Sequence, residues 1–313
     1  MKRRIFISSP RDTYLDDSRK ILKWAIIGEI ENLGYEVQVF NPEDGGRGLA
    51  AGISWSTREV EKIMRRCVGA AVIGFPFWND CSQINKKDDL QRTSLVTEYC
   101  QYEGAIALTY NCPILGILEE NVEKRLIFSS HGGDAIFLLP RNAGKKWIKT
   151  PSFQNFLATW NNRVKKRSDL FLGYSSKSVE IAKKIKLYLE EQFPDLKLLD
   201  WNDGFLLGDT IINQIQEATN NCTGAIFLFT NDGELSEYNE VREQTTKMIT
   251  RDNVIFEAGF FAHAKGTQRV HIISEKGSKI PADLGGVIYS FLQNRNDISS
   301  IYEKLKEFID NNL

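Results

Sequence analysis

Two unbroken apolar runs govern what this chain can fold into. Cys67-Val-Gly-Ala-Ala-Val-Ile and Cys222-Thr-Gly-Ala-Ile-Phe-Leu carry no charge and little alternation, so neither suits a strand with one wet face. Runs of that kind belong inside a parallel sheet that is covered on both sides. Each is followed at nearly the same distance by an acid beside small residues. Glu103-Gly-Ala lies 36 residues after Cys67, and Glu257-Ala-Gly lies 35 after Cys222. Two α/β domains can share such spacing by coincidence; the alternative is one architecture used twice.

The flanking sequence fits the second reading. Strands are expected in the first half over about 5–9, 35–40, 68–75 and 112–118, with helices over 18–33, 56–66 and 97–109. The second half replays this, with strands over 169–174, 197–199, 223–229 and 269–273 and helices over 178–193, 210–220 and 254–264. Strands and helices that alternate at this length imply an α/β fold of two doubly wound parallel-sheet domains. The expected division is a first domain over 1–145, a connector over 146–167 with a helix from about Ser152 to Val164, and a second domain over 168–313. Gly45-Gly-Arg-Gly48 reads as a loop, as does the stretch from Trp201 to Gly208. The polar stretches 79–92 and 233–249, each just before an acid-bearing helix, read as long loops. Such loops are either lids or solvated excursions.

The 40 basic and 41 acidic residues nearly cancel, which gives no polyelectrolyte signal for nucleic acid or an anionic membrane. Five cysteines, in no CxxC or Cys/His cluster, are expected to be reduced and mostly buried. The N-terminus reads as a first strand rather than a signal peptide, and no apolar stretch approaches the roughly 18 residues of a membrane span. The expectation is a cytoplasmic protein.

The chemistry has few places to sit. GxGxxG after the first strand, Walker A, GxSxG and HExxH are all absent, and the three histidines form no cluster. No metal site is expected, which leaves carboxylates as the reactive candidates. Glu257 stands alone in Asn253-Val-Ile-Phe-Glu257-Ala-Gly-Phe-Phe261, and a buried carboxylate is costly unless something pairs with it or uses it. Asp252 and Asn253 are good helix caps, so Glu257 belongs in the first turn or two of a helix. There it either complements the helix dipole or does chemistry. In a parallel sheet, polar residues at strand C-termini gather with helix N-termini in one crevice. Ser8, Ser9 and Glu103 would share such a crevice in the first half, and Ser175, Ser176 and Glu257 in the second. Glu98 and Glu103 are five apart and do not share a helical face cleanly.

Several ordered motifs of the second half carry a resemblance. Gly208-Asp-Thr-Ile-Ile, Arg251-Asp-Asn-Val-Ile-Phe-Glu257-Ala-Gly-Phe-Phe, Gln268-Arg-Val-His-Ile-Ile and Ile280-Pro-Ala-Asp-Leu-Gly-Gly-Val together resemble the TIR-like nucleotide-binding family, over about residues 168–295. That family supplies effector domains to bacterial anti-phage systems triggered by cyclic nucleotides (CBASS and Pycsar). The resemblance implies an NAD+ glycohydrolase with Glu257 as its catalytic residue, NAD+ as substrate, no further cofactor, and homo-oligomer or filament formation on activation. Ala258 departs from the larger apolar residue common there, without touching the acid. Trp201 and Phe205 would then stack on nicotinamide or adenine, or simply anchor a loop. Ser175, Ser176 and Asp232 lie where strand ends meet the ligand, and Arg251 and Asn253 would contact a phosphate or order the helix start.

The first half resembles nucleoside 2-deoxyribosyltransferase-like folds through Tyr102-Glu103-Gly-Ala-Ile-Ala-Leu-Thr-Tyr-Asn-Cys-Pro-Ile. That resemblance implies a second N-glycoside-cleaving acid at Glu103; the alternative is a nucleotide-sensing site with Ser8, Ser9, Glu98 and Glu103, because an effector that consumes NAD+ needs restraint and a related crevice that binds a second-messenger signal would supply it. A non-catalytic scaffold that uses both crevices for binding is the remaining alternative.

Overall fold

The computed structural model describes residues 2–40, 55–84, 90–129, 135–201, 210–238, 244–278, 281–284 and 286–313. They form two compact units, Lys2–Lys166 and Arg167–Leu313. The Gly45–Gly48 segment and Phe205 lie outside the described residues, as does most of 201–208.

The first unit runs β1 (Arg4–Ser8), α1 (Asp17–Asn32), β2 (Glu36–Val39), α2 (Thr57–Met64), β3 (Cys67–Gly74), β4 (Trp78–Ile84), β5 (Leu90–Leu95), α3 (Glu98–Thr109), β6 (Ile114–Glu119), β7 (Ile136–Leu139) and α4 (Pro151–Lys166). Its sheet has the order β2-β1-β3-β6-β7, with every pairing parallel. All eight residues of β3 are buried, as its unbroken apolar run requires. Side chains of Asp16, Ser56 and Thr97 cap α1, α2 and α3 by accepting the amides of Arg19, Glu59 and Cys100.

One correction concerns the stretch expected as a connector. Its helix α4 places Phe153, Leu157, Trp160 and Val164 in the core against β1, β3 and α1. Trp160 Nε1 donates to the Pro113 carbonyl at 2.9 Å, and Tyr35 donates to Asn161 Oδ1 at 2.6 Å. The apolar spacing of one helical face, rather than the lysines around it, decides where the segment belongs.

The second unit runs β8 (Leu170–Gly173), α5 (Val179–Gln192), β9 (Leu198–Asp200), α6 (Ile211–Asn221), β10 (Gly224–Phe229), β11 (Gly233–Tyr238), β12 (Gln244–Ile249), α7 (Asp252–Lys265), β13 (Val270–Glu275), β14 (Ile288–Leu292) and α8 (Tyr302–Asn312). Its sheet order is β14-β13-β10-β8-β9, again wholly parallel. Counted along each chain segment, both sheets have the order 2-1-3-4-5, whose switch point lies between the first and third strands.

Both units also place an antiparallel hairpin between the third strand and the acid-bearing helix: β4 with β5, and β11 with β12. These are the stretches expected as long loops. The strands are held by backbone pairing, and their sequences lack the apolar period that marks a strand packed on a core. β7, β14 and α8 complete the two sheets and the outer layer beyond the elements expected from sequence. No helix among the described residues is long and apolar enough to cross a membrane.

Candidate functional site

The helix α7 is built to bury one stripe. Val254, Ala258 and Phe261 pack on Phe171, Phe227 and Phe229, and the rings of Phe171 and Phe261 stack at 5.0 Å. Glu257 lies beside that stripe, one and a half turns into the helix, and is 0% exposed. Neither carboxyl oxygen has a hydrogen-bond partner among the described residues. Burial with nothing to offset it pushes this carboxyl up to about 8.

The helix start differs from the expectation of an Asp or Asn cap. Arg251 is the N-cap residue, without a side-chain bond, and its carbonyl accepts the amides of Val254 and Ile255 at 3.1 and 3.3 Å. Arg251, Asp252 and Asn253 are all exposed. Asp252 therefore complements the dipole from inside the first turn instead of capping it.

The serines expected beside Glu257 are engaged elsewhere. Ser175 donates to Asp232 Oδ2, which also accepts from Thr230 Oγ1 at 2.7 Å. Lys177 Nζ reaches the Asp232 carbonyl at 2.6 Å, and Arg295 approaches Asp232 Oδ1 at 3.6 Å. Arg295 also grips Glu275 with two bonds, at 2.6 and 2.7 Å. This buried network ties together the ends of β8, β10 and β13, so Ser175 and Asp232 brace the sheet edge. Ser176 is exposed in the turn that follows. Trp201 is half-buried just after β9, packed against both core layers and edge-on to Phe171 at 6.5 Å, which is the loop-anchor arrangement.

Strand register explains why one acid is held and the other is not. Ser8 pairs with Val72, and Gly173 pairs with Phe227. Counting from Gly69-Ala70 and Gly224-Ala225, these are the same positions in the two units. In the first unit Ser8 Oγ donates to Glu103 Oε2 at 2.5 Å, and Trp55 Nε1 donates to Oε1 at 2.8 Å. In the second unit the serine position is Gly173, and a Cβ there would overlap the Phe227 ring. The same alignment superposes Glu119 on Glu275, each at the end of the fourth sheet strand. Each is gripped by an arginine, since Arg19 makes two bonds of 2.8 Å to Glu119.

Glu103 lies in a cavity of about 250 Å³ with Ser9, Tyr14, Trp55, Phe77 and Tyr99 among its lining residues. Burial raises its carboxyl to about 7 against the lowering effect of its bonds to Ser8 and Trp55. Glu98 is separate: it is exposed, accepts from Trp78 Nε1 at 3.0 Å, and lines a different groove. Trp55, Tyr14, Phe77 and Tyr99 were not foreseen from sequence. The available signal was Trp55 immediately before the helix cap Ser56, an aromatic where a loop would otherwise be polar.

Residues 169–294 match the family described as the TIR domain of CAP12/Pycsar effector proteins. The chain is 29% identical over 153 residues to CD-NTase-associated protein 12 of Sphingobacterium faecium, covering 48% of this chain and 43% of that protein. It is 27% identical over 158 residues to the protein of the same name from Lachnospiraceae bacterium, covering 47% and 48%. It is 30% identical over 123 residues to the Pycsar effector protein PaPycTIR of Pseudomonas aeruginosa, covering 38% of each. The chain thus spans about half the length of the curated relatives it matches. The matched region holds a five-stranded parallel sheet and the acid-bearing helix α7, and residues 169–294 are similar to the TIR domain of CAP12/Pycsar effector proteins.

Proposed function

We propose that the second unit is an NAD+ glycohydrolase acting through Glu257, in anti-phage defence, and that a nucleotide signal bound in the first unit switches it on. The observation that carries this reading is a fully buried carboxyl group with both oxygens unbonded among the described residues. Fixed unpaired acids of this kind are costly, and they concentrate where a ligand completes them.

The chemistry suits a lone carboxylate. O-glycoside cleavage needs an acid for the departing oxygen and a second carboxylate on the other face. In NAD+ the bond between ribose C1′ and the nicotinamide nitrogen breaks with its electron pair going to the cationic ring, which leaves neutral. Water then adds at C1′ and releases a proton. The protein has to hold the ribose and stabilise the positive charge that grows on it, an effect worth several kcal/mol in a partly dry site. Cationic substrate also favours the ionised form of Glu257, so binding is coupled to proton release. Assembly of several copies belongs to the same proposal.

The test is fluorogenic NAD+ cleavage by the wild-type chain and by Glu257→Gln, across a panel of cyclic mono-, di- and oligonucleotides. Turnover in the wild type alone, with the variant still folded, is the expected result. Silence of the wild type with every trigger, in concentrated and crowded samples too, would overturn it. A second reading is favoured by the Glu103 cavity: nucleoside N-glycoside cleavage or deoxyribosyl transfer through that acid. Nucleoside cleavage lost only in Glu103→Gln would establish it. No turnover by either route would favour a binding scaffold.

A further inference from the structure

The first-unit cavity has a chemistry that narrows its occupant. It opens at the carboxyl edge of the sheet, where the strand order reverses, and is bounded by Ile7 and Ser9 of the β1 end, Val39 of β2 and Thr97 at the head of α3. At about 250 Å³ it falls below the roughly 300–1,000 Å³ of sites that enclose drug-sized ligands, so it takes one ring system rather than a dinucleotide. Its walls are aromatic and braced. Tyr14 meets Phe77 edge-on at 5.1 Å, and Trp55 meets Tyr99 at 4.7 Å. A flat, uncharged ring suits such walls.

The polar features are few. Lys23 is held by Asp12 Oδ1 at 2.6 Å and the Pro10 carbonyl at 3.3 Å, and Arg11 is exposed. A phosphate therefore has its partner at the mouth, and the buried charged group that faces the inner part of a ligand is Glu103. An ionised carboxylate accepts and does not donate, with about four lone-pair sites. Ser8 takes a site on one oxygen and Trp55 a site on the other. What completes this group is a pair of neighbouring donors, one for each oxygen. Guanine carries a ring N–H beside its amino group. Adenine, cytosine and uracil mix donors with acceptors along the corresponding edge.

We propose that the cavity binds a guanine base, with its ring N–H and amino group on the two oxygens of Glu103. This deepens the nucleotide-sensing part of the proposed function and rests on it. A ribose cis-diol also offers two adjacent donors, and the test separates the two.

The experiment is calorimetric titration of the full chain with guanosine, inosine, adenosine and 2′,3′-dideoxyguanosine at pH 6, 7 and 8. Guanosine and dideoxyguanosine are expected to bind alike. Inosine, which lacks the amino group, is expected to bind on the order of 10- to 100-fold more weakly, as for loss of one bond to a charged group. Guanosine affinity is expected to fall about tenfold from pH 8 to pH 6 as the acceptor is protonated. Glu103→Gln is expected to lose guanosine binding; if that variant does not fold, the pH series on the native chain carries the test. Adenosine binding as tightly as guanosine, or loss of binding with dideoxyguanosine, would overturn the guanine assignment and leave nucleotide sensing standing. Failure of every nucleoside, and of guanosine cyclic monophosphate, would overturn both.

Discussion

Replacing Glu257 with glutamine tests whether the acid is unpaired, and it does so without any substrate. The folded protein keeps the Glu257 proton up to about pH 8, whereas an unfolded chain releases it near the ordinary 4.5. Between those values the native state binds more protons than the unfolded state, so stability falls as pH rises. It is fully present below about 4.5, declines towards 8, and is level above. At roughly 1.4 kcal/mol per pH unit the span sets a ceiling of about 5 kcal/mol, which local relaxation and water entry would reduce. Glutamine has nearly the same shape and does not titrate. Glu257→Gln should therefore match the wild type near pH 4.5 and exceed it increasingly up to pH 8, by several kcal/mol at most. At about 2–4 °C per kcal/mol for a unit of this size, the second unit's melting temperature should rise by about 10 °C at pH 8. The assay is thermal and urea unfolding of both proteins at pH 5, 6, 7 and 8. Stability curves that run parallel across this range, or a variant less stable at pH 8, would mean that Glu257 has a partner and that the reasoning fails.

Three further outcomes follow from the geometry. Gly173→Ser alone should destabilise the second unit by about 1–3 kcal/mol, because its Cβ meets the Phe227 ring, and Phe227→Val in the same chain should relieve the overlap and recreate the Ser8–Val72 pair; carboxyl infrared titration of the double variant should find Glu257 lowered from about 8. Arg19→Ala should cost about 3–5 kcal/mol in urea unfolding, since it strands the buried Glu119, whereas Arg19→Lys should recover part of that loss. For NAD+ cleavage, kcat/KM should increase as pH rises through about 8 and then level, because the ionised carboxyl is the active form in the free protein; a flat profile from pH 6 to 9 would remove Glu257 from that role.

The elements that define the site were legible because burial writes them into composition. β3 and β10 show as unbroken apolar runs, and the spacing from each to its acid locates Glu103 and Glu257 at the sixth residue of α3 and α7. The hairpins were not legible, since β4–β5 and β11–β12 depend on backbone pairing and carry no apolar period. Side-chain partners were legible only in part. Ser8 does meet Glu103, as its position at the end of β1 suggested. Ser175 sits two residues beyond Gly173, out of that register, and answers to Asp232 instead. The period of two that orders side chains holds only while the strand continues, and β8 ends at Gly173, so the alternation no longer fixes where Ser175 points.

That register difference has an energetic meaning. Both units bury an acid at the same point of the same topology, and each must offset the cost of taking a carboxyl out of water. The first does so in part internally, with a hydroxyl and an indole N–H on the two oxygens, although burial still raises its carboxyl to about 7. The second holds Gly173 and Phe227 where the first holds Ser8 and Val72, so an aromatic ring fills that layer and the position offers no hydroxyl donor. Its acid goes up to about 8 with nothing in return from the described residues. An unpaired buried carboxyl lowers stability in the free protein and strengthens any ligand that brings donors or positive charge to it, because the ligand recovers what folding left unsatisfied. Under the proposed function, the first site would hold a partner at modest cost, and the second would gain most at the moment when charge develops beside it.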